Sequence, residues 1–245
     1  MAPAVASAQS AVAPYEDRGY IQVTAGAQSG SHLITSSSSF SIYDETATID
    51  GSQAYGGGAI WGIGGGARVW RNLVVSLNYA RYGDDMETAV VARVPHPLFL
   101  NRPREATQNL PGLKHTENQY HLTASWMFPF GDDLVLGVGA GPSFVGLSHE
   151  FPSGGRPVEQ GAPPDFATVS LQDVTFTRGE KTATTANFGA DLTYKLPFDV
   201  GQAGKLGATV GFRYAGGTAD LQGPNGSVGV KYGGAQFHGG LRLSF

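Results

Sequence analysis

The sequence contains no cysteine and few charged residues for its length. With no Cys among 245 residues, disulfides, thiolate metal sites and cysteine nucleophiles are all excluded. Charged residues make up 15% of the chain, below the usual share of about a quarter. The 16 basic and 20 acidic residues give a net charge of -4. This balance argues against a dedicated nucleic-acid-binding protein, which normally carries a strongly basic face.

Long hydrophobic runs are also absent from the sequence. No stretch reaches the roughly 18 consecutive apolar residues that predict a transmembrane helix. The 36 glycines are spread along the chain, and they disfavour helices because glycine is a poor helix former. The mean hydropathy of -0.13 does not exclude a membrane β-barrel, because apolar and polar residues alternate in barrel strands and cancel in the average.

The first 18 residues are expected to lie outside the fold. Residues 1–14 are small and almost all apolar or uncharged, and Ala6, Ser7 and Ala8 fit the A-x-A pattern of a secretory cleavage site. No charged start or apolar segment precedes them, so residues 1–18 are interpreted either as a signal-peptide remnant or as a disordered periplasmic N-terminal tail. Residues 19–245 are predicted to form one domain.

Period-2 alternation is the recurring pattern, and it is clearest at the C-terminus. In residues 233–245, one alternating set is Ala235, Phe237, Gly239, Leu241, Leu243 and Phe245, and the other is polar or glycine. A chain that ends on an aromatic residue in this register is typical of bacterial outer-membrane barrels. The same alternation occurs in seven other segments: 19–30, 59–70, 73–82, 117–128, 134–144, 187–196 and 206–214.

The connections between these eight segments alternate between short and long. Short ones lie at residues 70–72, 129–133 and 197–205, and long ones at 31–58, 83–116, 145–186 and 215–232. The sequence therefore predicts an all-β fold, an eight-stranded antiparallel up-and-down transmembrane β-barrel with short periplasmic turns and long extracellular loops. The predicted location is the bacterial outer membrane, with both termini in the periplasm.

Two parts of the long loops have strand character, and one does not. Residues 40–49, FSIYDETATI, and 169–177, VSLQDVTFT, are expected to extend strands above the membrane. The segment 93–104 is rich in proline and is not expected to form a central strand.

Several motifs resemble a known group of proteins. They are GGARVWRNL at 65–73, VPHPLFLNRPR at 94–104, LKHTENQYHL at 113–122, GPSF at 141–144 and the ending GLRLSF. Together they resemble the bacterial outer membrane protein β-barrel domain family, and the architecture is similar to OmpA- and OmpX-type eight-stranded barrels. The resemblance covers roughly residues 19–245. It implies a fold and a location but no activity, because no activity is established for the family.

If the apolar sets face lipid, the polar sets converge in the lumen. The predicted lumen-lining residues are Gln22, Gln28, Arg68, Asn78, Glu117, Gln119, His121, Asn187, Asp191, Lys195, Arg213, Gln236, His238 and Arg242. The interior of an eight-stranded barrel is just wide enough for side chains to fill. A polar plug is therefore the favoured interpretation, and a narrow pore that selects anions is the alternative.

The apolar face carries aromatic residues near both of its ends. Tyr79, Tyr120, Trp126, Phe128, Phe144, Tyr194, Tyr214 and Phe245 are predicted to form two membrane-interface girdles. The rival fold is a soluble, lipocalin-like barrel, in which the apolar set would face inward.

No catalytic, cofactor-binding or metal-binding residues are predicted. Glu117, His121 and Ser125 share one strand face, but successive members lie about 13 Å apart, too far for a catalytic triad. The glycine clusters near residues 56–58 and 64–66 lack the Lys-Ser/Thr and the helix of a phosphate loop. The six histidines show no metal-ligand spacing.

The predicted function is that of a non-enzymatic outer-membrane barrel with a structural or surface-interaction role through loops 83–116 and 145–186. The alternatives are a narrow channel for small, anionic solutes and a lipid-modifying enzyme. The expected partners are outer-membrane lipid, lipopolysaccharide and, through Phe245, the barrel assembly machinery. A surface ligand is not identified by the sequence, and nucleic acid is not expected.

Overall fold

The computed structural model describes residues 14–201 and 204–245, and in this part of the chain the fold is all-β. No helix there is long and apolar enough to cross a membrane. Ten strands follow one another along the chain: β1 (Gly19–Ser29), β2 (His32–Ile42), β3 (Glu45–Tyr55), β4 (Gly58–Trp70), β5 (Leu73–Val94), β6 (Arg104–Phe130), β7 (Leu134–Gln160), β8 (Thr168–Asp199), β9 (Lys205–Gly223) and β10 (Gly226–Ser244).

Eight of the strands close into a ring. The sheet order runs β5-β4-β1-β10-β9-β8-β7-β6, and pairing between β5 and β6 closes it. Every neighbouring pair is antiparallel; Val23 of β1, for example, pairs with Leu241 of β10 on one side and Ile63 of β4 on the other. The prediction of an eight-stranded antiparallel barrel from the eight alternating segments is thus confirmed.

The remaining strands, β2 and β3, form a hairpin within the predicted long loop 31–58. The hairpin turns at Tyr43 and Asp44, which both have positive φ, and β3 adds to the side of β5 over residues 48–53. The segment 40–49 is therefore the tip of a hairpin and not a single strand. The reason is the left-handed turn in its middle, which the alternation of FSIYDETATI does not show.

The barrel strands on the side of the long connections are much longer than the alternating segments. β6, β7 and β8 contain 27, 27 and 32 residues, so most of loops 83–116 and 145–186 is paired strand. Residues 169–177 belong to β8, as expected. Only residues 95–103 separate β5 from β6, which agrees with their prolines. The two ends of the barrel are called here the turn end and the hairpin end.

The strands change the side on which they carry apolar residues. Towards the turn end, large apolar side chains lie on the outer surface: Ile21, Val23, Leu77, Val210 and Leu241 are each 55–61% exposed. Towards the hairpin end, the apolar side chains point inward and form the main core. Its largest fully buried members include Phe151, Ile49, Met86, Leu113 and Leu221. This core lies where the hairpins meet over the barrel.

A second, smaller apolar cluster lies at the turn end. It contains Tyr15, Tyr20, Val74, Met127 and Val135. Tyr15 is only 2% exposed, and its backbone N–H donates to Asn72 Oδ1 at 3.2 Å. The expectation that residues 1–18 lie outside the fold is therefore wrong for residues 14–18, because Tyr15 supplies an apolar side chain to this cluster. The proposed cleavage site and residues 1–13 lie outside the described residues.

Candidate functional sites in the lumen and at the hairpin end

Most of the side chains predicted to line the lumen are buried. Those exposed by 9% or less are Gln22, Gln28, Asn78, Glu117, Gln119, His121, Asn187, Arg213, Gln236 and Arg242. Asp191, Lys195 and His238 are partly buried. Lys195 lies at the turn end, where its Nζ is 2.8 Å from Asp17 Oδ1.

Arg68 is the exception, and its predicted place in the lumen needs correction. Its side chain is exposed and donates to the Tyr15 carbonyl oxygen. Its backbone N–H bonds the carbonyl of Arg18, just before β1 begins, and the register of β4 shifts between Arg68 and Trp70. Arg68 therefore lies at the rim, because the alternating pattern of β4 continues past the point where the lumen ends.

Near the turn end, Arg242 is the centre of a charged group. Its Nε and Nη2 donate to Gln22 Oε1 at 2.9 and 2.6 Å, and its guanidinium lies 4.1 Å from the centre of the Tyr20 ring. Asp191 lies 3.7 Å from Arg242 through Oδ2 and 2.8 Å from His238 Nε2 through Oδ1. Gly211 leaves room for this pair, since a Cβ there would lie 2.2 Å from Asp191 Oδ1 and 2.5 Å from His238 Nε2, and both side chains would have to shift.

Farther along the lumen, a histidine and a serine meet across two strands. His121 Nδ1 is 2.7 Å from Ser143 Oγ, and Asn187 Nδ2 donates to the same Oγ at 2.9 Å. The sequence did not identify Ser143 as the partner of His121. The other ring nitrogen, His121 Nε2, is buried and has no hydrogen-bond partner among the described residues. A catalytic triad would place an orienting carboxylate there, so this pair lacks the third group.

Above this pair, Glu117 is the acceptor of a buried network. Both of its carboxylate oxygens lie 3.1 Å from the backbone N–H of Gly233. Oε2 also accepts from Gln119 at 2.7 Å and from Gln28 at 3.2 Å, and Gln236 donates to both of these glutamines. Because Glu117 is 1% exposed, these donors replace the water that an ionised carboxylate would otherwise require. The network joins β1, β6 and β10 across the lumen.

A histidine pair continues the network into the core at the hairpin end. His115 Nε2 lies 3.1 Å from Glu117 Oε1, and its Nδ1 lies 3.0 Å from Nδ1 of His149. His149 Nε2 faces Gln53 Oε1 at 3.2 Å. Burial, with a smaller effect of His115, lowers the pKa of His149 to about 3. A neutral His149 can donate from Nε2 to Gln53 and accept at Nδ1 from His115, which satisfies both contacts of the His149 ring.

The sequence analysis did not pair His115 with His149, although a signal was present. The two residues are equally distant along the chain from Asp132, at the turn between β6 and β7, and the register pairs them directly. Counting outward from the turn would have found them. Among the described residues, no three His, Cys, Asp or Glu side chains are grouped so as to hold a metal ion.

The eight aromatic residues predicted at the membrane interfaces all lie on the outer surface, and they fall into two groups. Tyr79 and Tyr120 stand with ring centres 5.2 Å apart, and Phe144 pairs with Tyr120. Tyr214 continues this ring, stacked 5.4 Å from Phe188. The second group, towards the turn end, contains Trp126, Phe128, Tyr194 and Phe245.

The distance between the two rings follows from the geometry of β6. Tyr120 and Phe128 are eight residues apart on this strand, or about 26 Å at roughly 3.3 Å per residue. With the usual strand tilt of about 40°, the separation along the barrel axis is about 20 Å. This is close to the height of about 25 Å of the apolar band that outer-membrane barrels present to lipid.

The segment between β5 and β6 forms the tip of the hairpin end, and it carries three consecutive exposed apolar side chains. Leu98, Phe99 and Leu100 are 58%, 43% and 73% exposed, and the Arg102 guanidinium lies 5.5 Å from the centre of the Phe99 ring. The segment 98–100 is called the apolar tip below. Exposed leucines are common singly, but three large apolar residues in a row on a protruding turn are not explained by the core.

Buried polar side chains hold the apolar tip in place. Arg104, whose side chain is 10% exposed, donates to the carbonyl oxygens of Pro95 and Phe166 at 2.9 and 2.7 Å and forms a bidentate pair with Glu159. Hydrogen bonds from Arg104 keep the pKa of Glu159 below its usual range. His96 accepts from the Leu98 N–H at 3.1 Å and contacts the Asp165 carbonyl oxygen at 3.0 Å. The tip is thereby fixed to the β7–β8 hairpin.

Comparison with known proteins adds little to these observations. No family model matches the chain, and no curated protein matches it. Among solved structures, Neisserial surface protein A has 14% identity and a TM-score of 0.42, with 93% of this chain and 97% of that chain covered. The outer membrane protein OprG from Pseudomonas aeruginosa has 11% identity and a TM-score of 0.43, with coverage of 94% and 97%.

The outer membrane protease OmpT from Escherichia coli is similar at the same level. It has 10% identity and a TM-score of 0.40, with 96% of this chain and 99% of that chain covered. These structures include outer-membrane proteins, the class that the sequence motifs resemble. Because the TM-scores are below 0.5, they support no argument about this chain. Its barrel architecture rests on its own strand pairing.

Proposed function

We propose that this chain is an integral barrel of the bacterial outer membrane, with a closed lumen, that makes contacts at the cell surface through its apolar tip. The membrane part of the proposal rests on the exposed apolar band. Val23, Leu77 and Val210 are each more than half exposed, between two aromatic rings about 20 Å apart. A soluble barrel would bury these side chains, whereas lipid surrounds them without the cost of hydrating apolar surface.

In the proposed orientation, the hairpin end faces the outside and the turn end faces the periplasm. Short periplasmic turns and long external loops are the rule in such barrels. Since the chain has no native cysteine, single cysteines report the orientation cleanly. Asn101→Cys, at the hairpin end, should react with a membrane-impermeant maleimide on intact cells. Asp132→Cys, at the turn end, should react only after the outer membrane is permeabilised, and the reverse pattern would contradict the proposal.

The closed lumen is supported by three layers of buried side chains. The Tyr15 cluster closes the turn end, the Arg242 and Glu117 networks fill the middle, and the apolar core covers the hairpin end. The alternative function, a narrow channel, requires a continuous water path through all three layers. Refolded protein inserted into a planar bilayer should therefore remain silent, and stable, repeatable conductance steps would make the channel the better proposal.

The surface role rests on one observation, the way in which the apolar tip is held. From Tyr79 in the outer aromatic ring to Val94, β5 runs fifteen residues, so the tip stands about 35–40 Å beyond the ring. It is thus out of reach of the bilayer in which the barrel sits. A rigid, pre-ordered apolar segment loses little entropy on binding, and aromatic and aliphatic anchors of this kind dominate binding energy at interfaces.

The surface role is tested by cell attachment with a matched pair of variants. Phe99→Ser removes the aromatic of the tip, while Phe176→Ser removes an aromatic that is similarly exposed, at 47%, from β8. Cells that display Phe99→Ser should lose the attachment conferred by the parent protein, and Phe176→Ser cells should keep it. Equal attachment by both variants, at equal surface amounts, would count against the tip.

A second variant pair tests the rigidity of the tip. Arg104→Ala breaks a nearly buried ion pair and should cost about 3–5 kcal/mol locally. Arg93→Ala removes an exposed pair with Glu105, whose side chains are 58% and 62% exposed, and should cost less than about 1 kcal/mol. Hydrogen exchange of residues 95–104 should rise in the first variant only.

The proposed role is not enzymatic, and the proposed partners follow from the membrane location. Outer-membrane lipid and lipopolysaccharide would surround the apolar band, and Phe245, 52% exposed, would be recognised by the barrel assembly machinery. The lipid-modifying alternative is tested by mass spectrometry of lipid A from expressing cells. A changed lipid mass would overturn the non-enzymatic role.

A further inference from the structure

A buried arginine in the middle of the barrel has no hydrogen-bond acceptor and no ion-pair partner among the residues that the structure describes. Arg213 lies on β9 between Phe212 and Tyr214, which belong to the outward-facing aromatic surface. Its own side chain faces the lumen, and the residue is only 9% exposed. The guanidinium is therefore held within the stretch of barrel that faces lipid, where an uncompensated charge is costly.

Among the described residues, none accepts a hydrogen bond from the Arg213 guanidinium, and no carboxylate lies within ion-pair distance of it. The contrast with Arg242 in the same lumen is large. Arg242 donates twice to Gln22, lies over the Tyr20 ring and approaches Asp191. A buried guanidinium offers five N–H donors, and buried charges in proteins are normally paired.

The carboxylates nearest to Arg213 along the lumen are already engaged by other groups. Asp191 lies on β8 two residues from Gly189, the cross-strand partner of Arg213, and it faces Arg242 and His238. Its two oxygens are already taken by His238 and Arg242. The other buried carboxylate, Glu117, is engaged by His115 and the Gly233 N–H.

A second unpartnered donor lies nearby. His121 belongs to the same layer of the lumen, because its partner Ser143 also accepts from Asn187, which lies two residues from Gly189, the cross-strand partner of Arg213. Its Nδ1 faces the Ser143 hydroxyl, and its Nε2 is buried without a partner. With Nδ1 accepting from the hydroxyl, Nε2 carries the proton and is a donor. Both unpartnered groups in this layer are therefore donors, one of them cationic.

We propose that the lumen binds a small inorganic anion, of halide size, at the Arg213 guanidinium. The ion would lie against the guanidinium charge and accept from the N–H groups that lack a partner among the described residues. A halide is favoured over a larger anion because side chains fill the interior of an eight-stranded barrel. This inference is independent of the surface role of the apolar tip, and it holds for a lumen that does not conduct.

The direct test is a crystal of the unmodified protein grown or soaked in bromide, with data collected at the bromine absorption edge. The expected result is an anomalous peak within contact distance of the Arg213 guanidinium. A water in that place, or a direct hydrogen bond from Arg213 to the Gln236 side chain, its cross-strand neighbour, with no peak, would overturn the proposal.

The thermodynamic test is the melting temperature of the detergent-solubilised barrel, followed by its heat-dependent gel mobility. Chloride and gluconate are compared at equal ionic strength, so that screening is constant. A ligand that binds only the folded state stabilises it. For chloride at about fifty times its dissociation constant, Tm should rise by about 5 °C.

The variants decide whether the effect arises at Arg213. Arg213→Gln should remove the chloride dependence and should be at least as stable as the parent in gluconate, because an unpaired charge is gone. Arg213→Lys keeps the charge and should keep a weaker dependence. Arg81→Gln removes an exposed arginine on β5 and should keep the full rise. An equal rise in Arg213→Gln would show a non-specific salt effect and overturn the site.

Discussion

The two halves of the barrel use the same strands but place their apolar side chains on opposite faces. On β9, Val210 faces outward and is 59% exposed, whereas Leu221 faces inward and is fully buried. The outward positions change from Leu, Ala, Val and Phe towards the turn end to Thr, Asp and Gln towards the hairpin end. In the proposed membrane orientation, lipid surrounds the outside of one half and water surrounds the other, and the side-chain pattern fits this difference.

The apolar side chains change from the outer to the inner face at the level of the Glu117 network. Below Glu117, β6 carries inward polar residues such as Gln119 and His121, and above it Leu113 and Leu110 are the buried ones. A polar interior suits a barrel surrounded by lipid, and an apolar interior suits hairpins surrounded by water. The buried Glu117, His115 and His149 lie at the boundary between the polar and the apolar interior.

The largest effect is expected at this junction. Glu117→Gln removes the charge that His115, Gly233, Gln28 and Gln119 surround, and it should destabilise the barrel by about 3–5 kcal/mol. Glu180→Gln, whose side chain is 66% exposed, should change stability by no more than about 0.5 kcal/mol. Urea unfolding in lipid or detergent gives both values. Similar losses in the two variants would contradict the role of the network in joining the halves.

Truncation of one apolar residue in each half should lower the free energy of unfolding by unequal amounts. Leu221→Ala leaves a cavity in the core at the hairpin end and should cost about 2–5 kcal/mol. Val210→Ala removes methyl groups that face lipid, which fills the space, and should cost less than about 1 kcal/mol. If Val210→Ala proves the more damaging of the two in equilibrium unfolding, the assignment of inner and outer faces is wrong.

A charge placed on the outer face should destabilise the half at the turn end more than the half at the hairpin end. Val210→Arg places a cation in the apolar band and should cost about 2–4 kcal/mol. Thr218→Arg lies on the same strand and the same face, but in the exposed region beyond the ring, and should change stability by about 0.5 kcal/mol or less. Folding yield into vesicles measures both, and equal yields would remove the argument for a lipid-facing band.

Acid should weaken the half at the hairpin end, in a pH range set by His149. Its pKa is lowered from 6.5 to about 3 in the folded protein, so between these values the unfolded chain binds a proton that the folded chain does not. Stability is therefore greatest above pH 6.5 and falls as the pH drops, by about 1.4 kcal/mol per pH unit from this group.

The matching control for the acid effect is His149→Gln, which lacks the titrating ring. The difference in unfolding free energy between parent and variant should shrink steadily from pH 6.5 towards pH 3. Parallel pH profiles would show that His149 does not contribute. The titration is read from unfolding monitored by a probe placed at the hairpin end, away from the membrane.

The barrel could be predicted from the order of the amino acids alone. Eight alternating segments, the short and long connections between them and the aromatic ending at Phe245 are properties of local order, and alternation with period two fixes which side chains share a face. Thirteen of the fourteen predicted lumen residues are buried or partly buried as a result. Arg68 fails because alternation does not show where a lumen ends.

The contacts between these side chains follow from the closed barrel and not from local order. The contacts of His115 with His149, His121 with Ser143 and Arg104 with Glu159 depend on strand register and on how separate hairpins converge. The burial of Tyr15 depends on the chain returning to the turn end. Alternation predicts the face on which each residue lies but not its neighbour across the lumen. Hydrogen-bond and ion-pair partners, and the lack of one for Arg213 among the described residues, depend on how the barrel closes.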